Sequence, residues 1–153
     1  MLGSGIGEIR TVEPTLVVTL NAYSANDVVG GLLTIPIHSA GGGGVLRQLS
    51  IVDDADQKEP YSLYLFDQVP STIANDAAFA PTVTDLKKVI AKIAIAALDY
   101  ETLNSNAYAL KTGLDVEFAV PDGNLYGYLV AGDTPDYVAA TDLLLRLTFE
   151  LND

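Results

Sequence analysis

From Leu143 to the end of the chain the residues alternate strictly. Leu143, Leu145, Leu147, Phe149 and Leu151 fall on one side, and Leu144, Arg146, Thr148, Glu150 and Asn152 on the other. A period of two is the period of a strand, whose successive side chains point to opposite faces, so this segment reads as a half-buried antiparallel strand. The same alternation appears in Leu16/Val18/Leu20 against Thr15/Val17/Thr19, in Leu49/Ile51 against Gln48/Ser50, and in Val116/Phe118/Val120 against Asp115/Glu117/Ala119. Val28–Ile37, Tyr61–Phe66, Lys92–Leu98, Ala107–Lys111 and Leu125–Ala131 add segments rich in β-branched and aromatic residues.

Turn material separates these segments: Ala25-Asn26-Asp27, Ala40–Gly44, Asp53–Pro60, Lys111-Thr112-Gly113, Pro121-Asp122-Gly123-Asn124 and Ala131–Asp136. In Pro121-Asp122-Gly123-Asn124 the proline presets φ and the glycine accepts a positive one, which predicts a tight turn closing a hairpin. One helix is predicted, over Thr84–Ile90, with Thr84 or Asp85 capping its free N–H groups and Leu86, Val89 and Ile90 on one face. Ile90–Leu98 is alanine-rich enough to extend that helix instead of forming a strand. Many short strands, one short helix and no alternation of strand with helix predict an all-β fold, a jelly-roll-like antiparallel β-sandwich of about eight or nine strands. Residues 12–153 form the single sandwich domain in this reading, and residues 1–11 a flexible N-terminal arm.

Composition narrows the chemistry. No cysteine is present, which removes thiol nucleophiles, thiolate metal sites and disulfides, and the single histidine, His38, excludes multi-histidine zinc sites. Eight Lys and Arg against 20 Asp and Glu give a net charge of −12. Cations this sparse form no stripe able to neutralise several phosphates, so nucleic acid is not an expected partner. No apolar run approaches the length of a bilayer span, so no membrane association is expected. The opening Met1-Leu2-Gly3-Ser4-Gly5-Ile6-Gly7 lacks the charged and apolar regions of a secretory signal, and the chain is expected to be made and kept in the cytosol.

The remaining candidate chemistry reads mostly as architecture. His38 and Ser39 are adjacent on an extended segment, point to opposite faces, and lack a nucleophile elbow. Ala40-Gly41-Gly42-Gly43-Gly44-Val45 lacks the Lys-Ser/Thr pair of a phosphate-binding loop and reads as a flexible hairpin connection that a neighbouring molecule could order. Asp53-Asp54-Ala55-Asp56-Gln57-Lys58-Glu59 is the densest acidic run, but glycine and glutamate are missing where a helix-loop-helix calcium site needs them, so it reads as a solvated turn. Tyr126 and Tyr128 share a strand face with Val130. They are either half-buried sheet residues or a tyrosine-lined contact face for a sugar or a protein. No catalytic, cofactor or metal residue is expected. The expected contact residues are Gly41, Gly42, Gly43, Gly44, Gly5, Ile6, Tyr126 and Tyr128.

A wider order runs through Ala22-Tyr23-Ser24-Ala25-Asn26-Asp27-Val28-Val29-Gly30-Gly31, then the glycine run before Leu49-Ser50-Ile51-Val52-Asp53, then Leu63-Tyr64-Leu65-Phe66-Asp67 leading into Pro70-Ser71 and Asn75-Asp76-Ala77-Ala78-Phe79. It ends with Asn124-Leu125-Tyr126-Gly127-Tyr128-Leu129-Val130 and the final amphipathic strand. From about Val12 to Leu151 this order resembles the small structural proteins encoded beside the major capsid gene of tailed bacteriophages, several of which are jelly-roll cement or decoration proteins. The resemblance implies a non-enzymatic virion component, commonly a homotrimer, assembled in the host cytoplasm and bound to the major capsid protein on the outer surface of the head. It carries over no site residues. An acidic exterior suits that position, away from packaged DNA. The arm Met1–Gly7 would then order by adding a strand to a neighbour. Two other functions fit the same sequence: a tail, neck or fibre component with carbohydrate or receptor binding, and a small carbohydrate-active enzyme working through paired carboxylates.

Overall fold

The computed structural model of the chain describes residues 7–152. Its strands are β1 (Ile9–Val12), β2 (Val28–Pro36), β3 (Gly42–Asp53), β4 (Tyr61–Phe66), β5 (Val89–Ile95), β6 (Tyr100–Leu103), β7 (Asn106–Lys111), β8 (Val116–Val120), β9 (Asn124–Ala131) and β10 (Leu143–Leu151), with a single-turn helix α1 (Val83–Leu86) between β4 and β5. One sheet runs β1-β10-β3-β7-β6, with β8 also paired to β3, and the other runs β2-β9-β4-β5. All pairings are antiparallel, and four of them nest one inside the next: β1 with β10, β2 with β9, β3 with β8, and β4 with β5. The chain is therefore one long ribbon doubled back on itself, and rolling it sends alternate rungs to opposite sheets. That is the jelly-roll arrangement of the β-sandwich. The β6–β7 hairpin is inserted into this scheme and extends the first sheet.

β3 explains how two partners share one edge. Its first half, Gly42–Leu46, pairs with β8, and its second half, Leu49–Asp53, pairs with β7. At the changeover the register against β10 slips, so that Phe149 meets Leu46 and Thr148 meets Gln48. Arg47 is the extra residue, and this bulge returns Leu46 and Leu49 to the same inner face. Both are fully buried against Ile51, Leu145, Leu147 and Phe149 of the same sheet and Leu33, Ile35, Leu63, Leu65, Leu125 and Leu129 of the other. Each such side chain contributes on the order of 1.5–3 kcal/mol by leaving water.

The alternation of β10 is buried and exposed as its sequence predicts. Four expectations need correction. Leu16–Leu20 is extended but joins no ladder. Leu16 and Val18 are buried, Leu20 is exposed, and the segment is tied down by bonds from the Val18 amide to the Ala140 carbonyl at 3.1 Å and from Asn75 Nδ2 to the Val17 carbonyl at 2.9 Å. The helix stops at Leu86, capped by Thr82 rather than Thr84 or Asp85, and Val89–Ile95 is strand because it closes the ladder on β4. Pro121–Asn124 does turn tightly, with the Gly123 amide donating to Val120 at 3.0 Å, but it joins β8 in one sheet to β9 in the other and closes no hairpin. The glycine run is no flexible connection: Gly42, Gly43 and Gly44 are β3 itself, opposite Val120, Ala119 and Phe118.

Two strands were not expected. All of β1 but Val12 falls within the region read as an arm, yet Ile9–Val12 pairs in cis with Glu150–Leu147 of β10. β6 is a short, mostly exposed edge strand joined to β7 by Asn104-Ser105, whose φ values of 51° and 65° are the pair of positive angles a two-residue hairpin turn needs. Gly5 and Ile6 lie outside the described residues.

Candidate functional site

The outer faces of the two sheets differ. Over the β2-β9-β4-β5 sheet, residues 67–81 lie back across the strands and form a second apolar cluster: Val28, Phe66, Tyr126, Tyr128 and Val130 are buried, with Ile73 and Phe79 packed against them. Phe79 stacks on Tyr64 at 4.7 Å between ring centroids, and Phe66 meets Tyr128 edge-on at 5.9 Å. Polar ties hold the cover down. The Tyr128 hydroxyl donates to the Ser71 carbonyl at 2.7 Å and accepts from the Ile73 amide at 2.8 Å. Asn75 Oδ1 accepts from the Tyr23 hydroxyl and the Gly30 amide, both at 2.8 Å, while its Nδ2 donates to the Val17 carbonyl at 2.9 Å.

This cover corrects the expected contact face. Tyr126 and Tyr128 do share a face with Val130, but the chain's own excursion seals it: Tyr128 is 1% exposed, and the hydroxyl of Tyr126 is spent on Asp122 at 2.8 Å. The glycine run is equally committed. A Cβ on Gly44 would run into the Glu150 carbonyl, so the residue is glycine to let β3 and β10 approach. Gly41 alone of the four stands in the turn, with φ of 87° and open space around it.

Among the described residues no segment folds back over the outer face of the other sheet. Its outer face carries a shallow hollow of about 320 Å³ centred on β10, β3 and β7. Register builds it in rows: Leu144, Val52 and Tyr108 lie side by side, then Arg146, Ser50 and Leu110, then Thr148 and Gln48. Val52, Leu110 and Leu144 leave apolar surface exposed there. Tyr108 donates to Glu101 of the neighbouring β6 at 3.1 Å, and this bond pushes the phenol above its ordinary pKa. Arg146 is exposed at the middle of the strand and makes no ion pair or hydrogen bond among the described residues. Arg10, Arg47, Lys58 and Lys111 are all engaged with carboxylates. Sequence reasoning placed Arg146, Ser50 and Gln48 on outward positions but had no means of bringing three strands together.

At one end of the sandwich Tyr61 and Tyr137 share a hydrogen bond, and Tyr100 lies close enough to raise the pKa of Tyr61 further. Burial pushes all three phenols far above their ordinary range. The Tyr100 hydroxyl is buried with no protein partner among the described residues. Asp53, also buried, accepts from the amides of Gln57 at 2.8 Å, Ala55 at 2.9 Å and Lys58 at 3.1 Å; burial pushes its carboxyl up against the pull of these donors. The acidic run is thus a turn wound around its first carboxylate. Among the described residues no group of three His, Asp or Glu side chains is placed to hold a metal ion. His38 is exposed; its Nδ1 accepts from the Ser39 amide at 3.1 Å and its Nε2 lies 3.3 Å from the Asn152 carbonyl, and among the described residues its ring makes no hydrogen bond to a hydroxyl.

No protein-family model matches the chain, and no curated protein or solved structure does.

Proposed function

We propose that the chain is a non-enzymatic structural protein of a bacteriophage virion, a decoration protein that binds the outside of the head and bridges major capsid subunits, as a homotrimer. The observation that carries this reading is the excursion between β4 and β5. It is pinned to the sandwich from beneath, yet it turns Val69, Val83 and Leu86 outward, with Val83 73% exposed. These three belong to one braced unit: Asp85 accepts from the Ser71 amide at 2.8 Å, and Lys88 Nζ donates to the Val69 carbonyl at 2.8 Å. An apolar patch on a rigid, internally hydrogen-bonded platform is suited to a protein partner, since ordering entropy is already spent before contact. The net charge of −12 favours an exterior position over one against packaged DNA.

Purified protein mixed with heads that lack it should sediment with them and delay their rupture on heating. The double variant Val83→Glu, Leu86→Glu should keep its fold and lose that binding. Absence of binding by the unaltered chain would end the proposal.

A further inference from the structure

The open hollow on the other side of the molecule points to a separate activity that does not depend on the virion reading. We propose that it binds a carboxylate-bearing sugar, with Arg146 receiving the carboxylate. Three observations converge. First, Arg146 makes no ion pair or hydrogen bond among the described residues of a chain with 20 acidic side chains. Glu13, one residue past the Val12–Leu147 pair that ends the β1 ladder, makes no ion pair among the described residues. A guanidinium left free in so acidic a molecule is available for an anion from outside, and its planar fork matches a carboxylate with two parallel bonds. Second, three of the lining groups are neutral hydrogen-bonding side chains, Gln48, Ser50 and Thr148, which suit the hydroxyls of a polyol. Third, Val52, Leu110 and Tyr108 complete the lining, and the two aliphatic side chains can meet the C–H face of a sugar ring, which a simple inorganic anion would leave unused.

The backbone argues against a peptide. At this point β3 is paired on both sides, Leu49–Asp53 lying between β10 and β7, so no strand can add to it. A volume of about 320 Å³ lies at the small end of ligand sites and fits a saccharide unit better than a protein surface.

The test uses the isolated full-length chain, with methyl β-D-glucuronide as the probe and amide NMR shifts as the readout. The glucuronide should shift the signals of Gln48, Ser50, Leu110 and Thr148 saturably, with a Kd of about 1 mM, as expected for a small ligand on an open site. Methyl β-D-glucoside, which lacks the carboxylate, should bind at least about tenfold more weakly, as should the glucuronide on Arg146→Gln, because each loses a charged hydrogen-bonded pair. Arg146→Lys, which keeps the charge and loses the fork, should fall between them. Acetate alone should bind more weakly than the glucuronide. A linked oligouronate binding more tightly than the single sugar would identify a polysaccharide as the source, and equal binding a free uronate; both support the proposal. Failure of the glucuronide to saturate, equal binding by Arg146→Gln, or preference for an acidic tetrapeptide would overturn it. Because head binding is read on a different patch, either proposal can fail while the other stands.

Discussion

The hydroxyl of Tyr128, in the middle of β9, donates to the carbonyl of Ser71 at 2.7 Å, fastening the excursion between β4 and β5 to the sheet it covers. The same oxygen accepts from Ile73 at 2.8 Å, so one phenol satisfies a donor and an acceptor in a segment that has no ladder of its own. Tyr128→Phe keeps the ring and its packing against Phe66 and Phe79 but leaves both backbone groups without this partner. The expected cost is about 1–3 kcal/mol in urea denaturation, with faster hydrogen exchange at Ile73. Unchanged exchange there would show that the cover is held by apolar packing alone.

Gly44 distinguishes a structural glycine run from a mobile one. Its ideal Cβ would meet the Glu150 carbonyl and lie 3.0 Å from the Leu151 Cα, both backbone groups that cannot swing aside. Gly44→Ala should therefore destabilise the fold by about 1–3 kcal/mol, read from thermal or urea unfolding. A variant as stable as the parent would mean that the β3–β10 contact at this end is loose.

Asp85 should make stability depend on acid. The amides of Ser71 and then Thr82, followed by the hydroxyls of Thr82 and Ser71, stabilise its ionised form and hold the pKa down to about 2, from an ordinary value of 3.8. Since the folded value is the lower one, the contribution is whole above the unfolded pKa and is lost as pH falls through the folded one. Urea midpoints measured from about pH 5 down to about pH 2 should fall for the parent chain, and Asp85→Asn should remove part of that slope. Asp53 acts in the opposite sense, because burial raises its folded pKa and protonation is easier in the folded state. An Asp85→Asn slope equal to the parent's would count against this account.

Among the eight tyrosines, Tyr61, Tyr100 and Tyr137 should resist ionisation until the protein unfolds, giving an alkaline titration in which part of the tyrosinate absorbance appears only with denaturation. Tyr137→Phe, which breaks the bond to Tyr61, should lower stability by about 1 kcal/mol, whereas Tyr100→Phe should leave it unchanged or raise it, because that hydroxyl has no protein partner to lose.

For β8, β9 and β10 the sequence by itself determined that the residues are strand and which way their side chains face. The alternation in β8 and β10, the pairing of Tyr126 with Tyr128 on one side of β9, and the outward position of Arg146 all follow from a two-residue period, which is a local property of extended backbone. Tertiary structure decided what stands over each face. Tyr126 and Tyr128 are sealed because residues 67–81 return across them, while Arg146 is open because no described segment returns across β10. Leu16–Leu20 alternates as well as a strand does, but no neighbour offers it a ladder. The glycines at 42–44 became strand because β8 and β10 close in from both sides. Periodicity assigns a side chain to a face through bonds within a few residues, whereas pairing and coverage depend on segments dozens of residues away, whose approach no local pattern encodes.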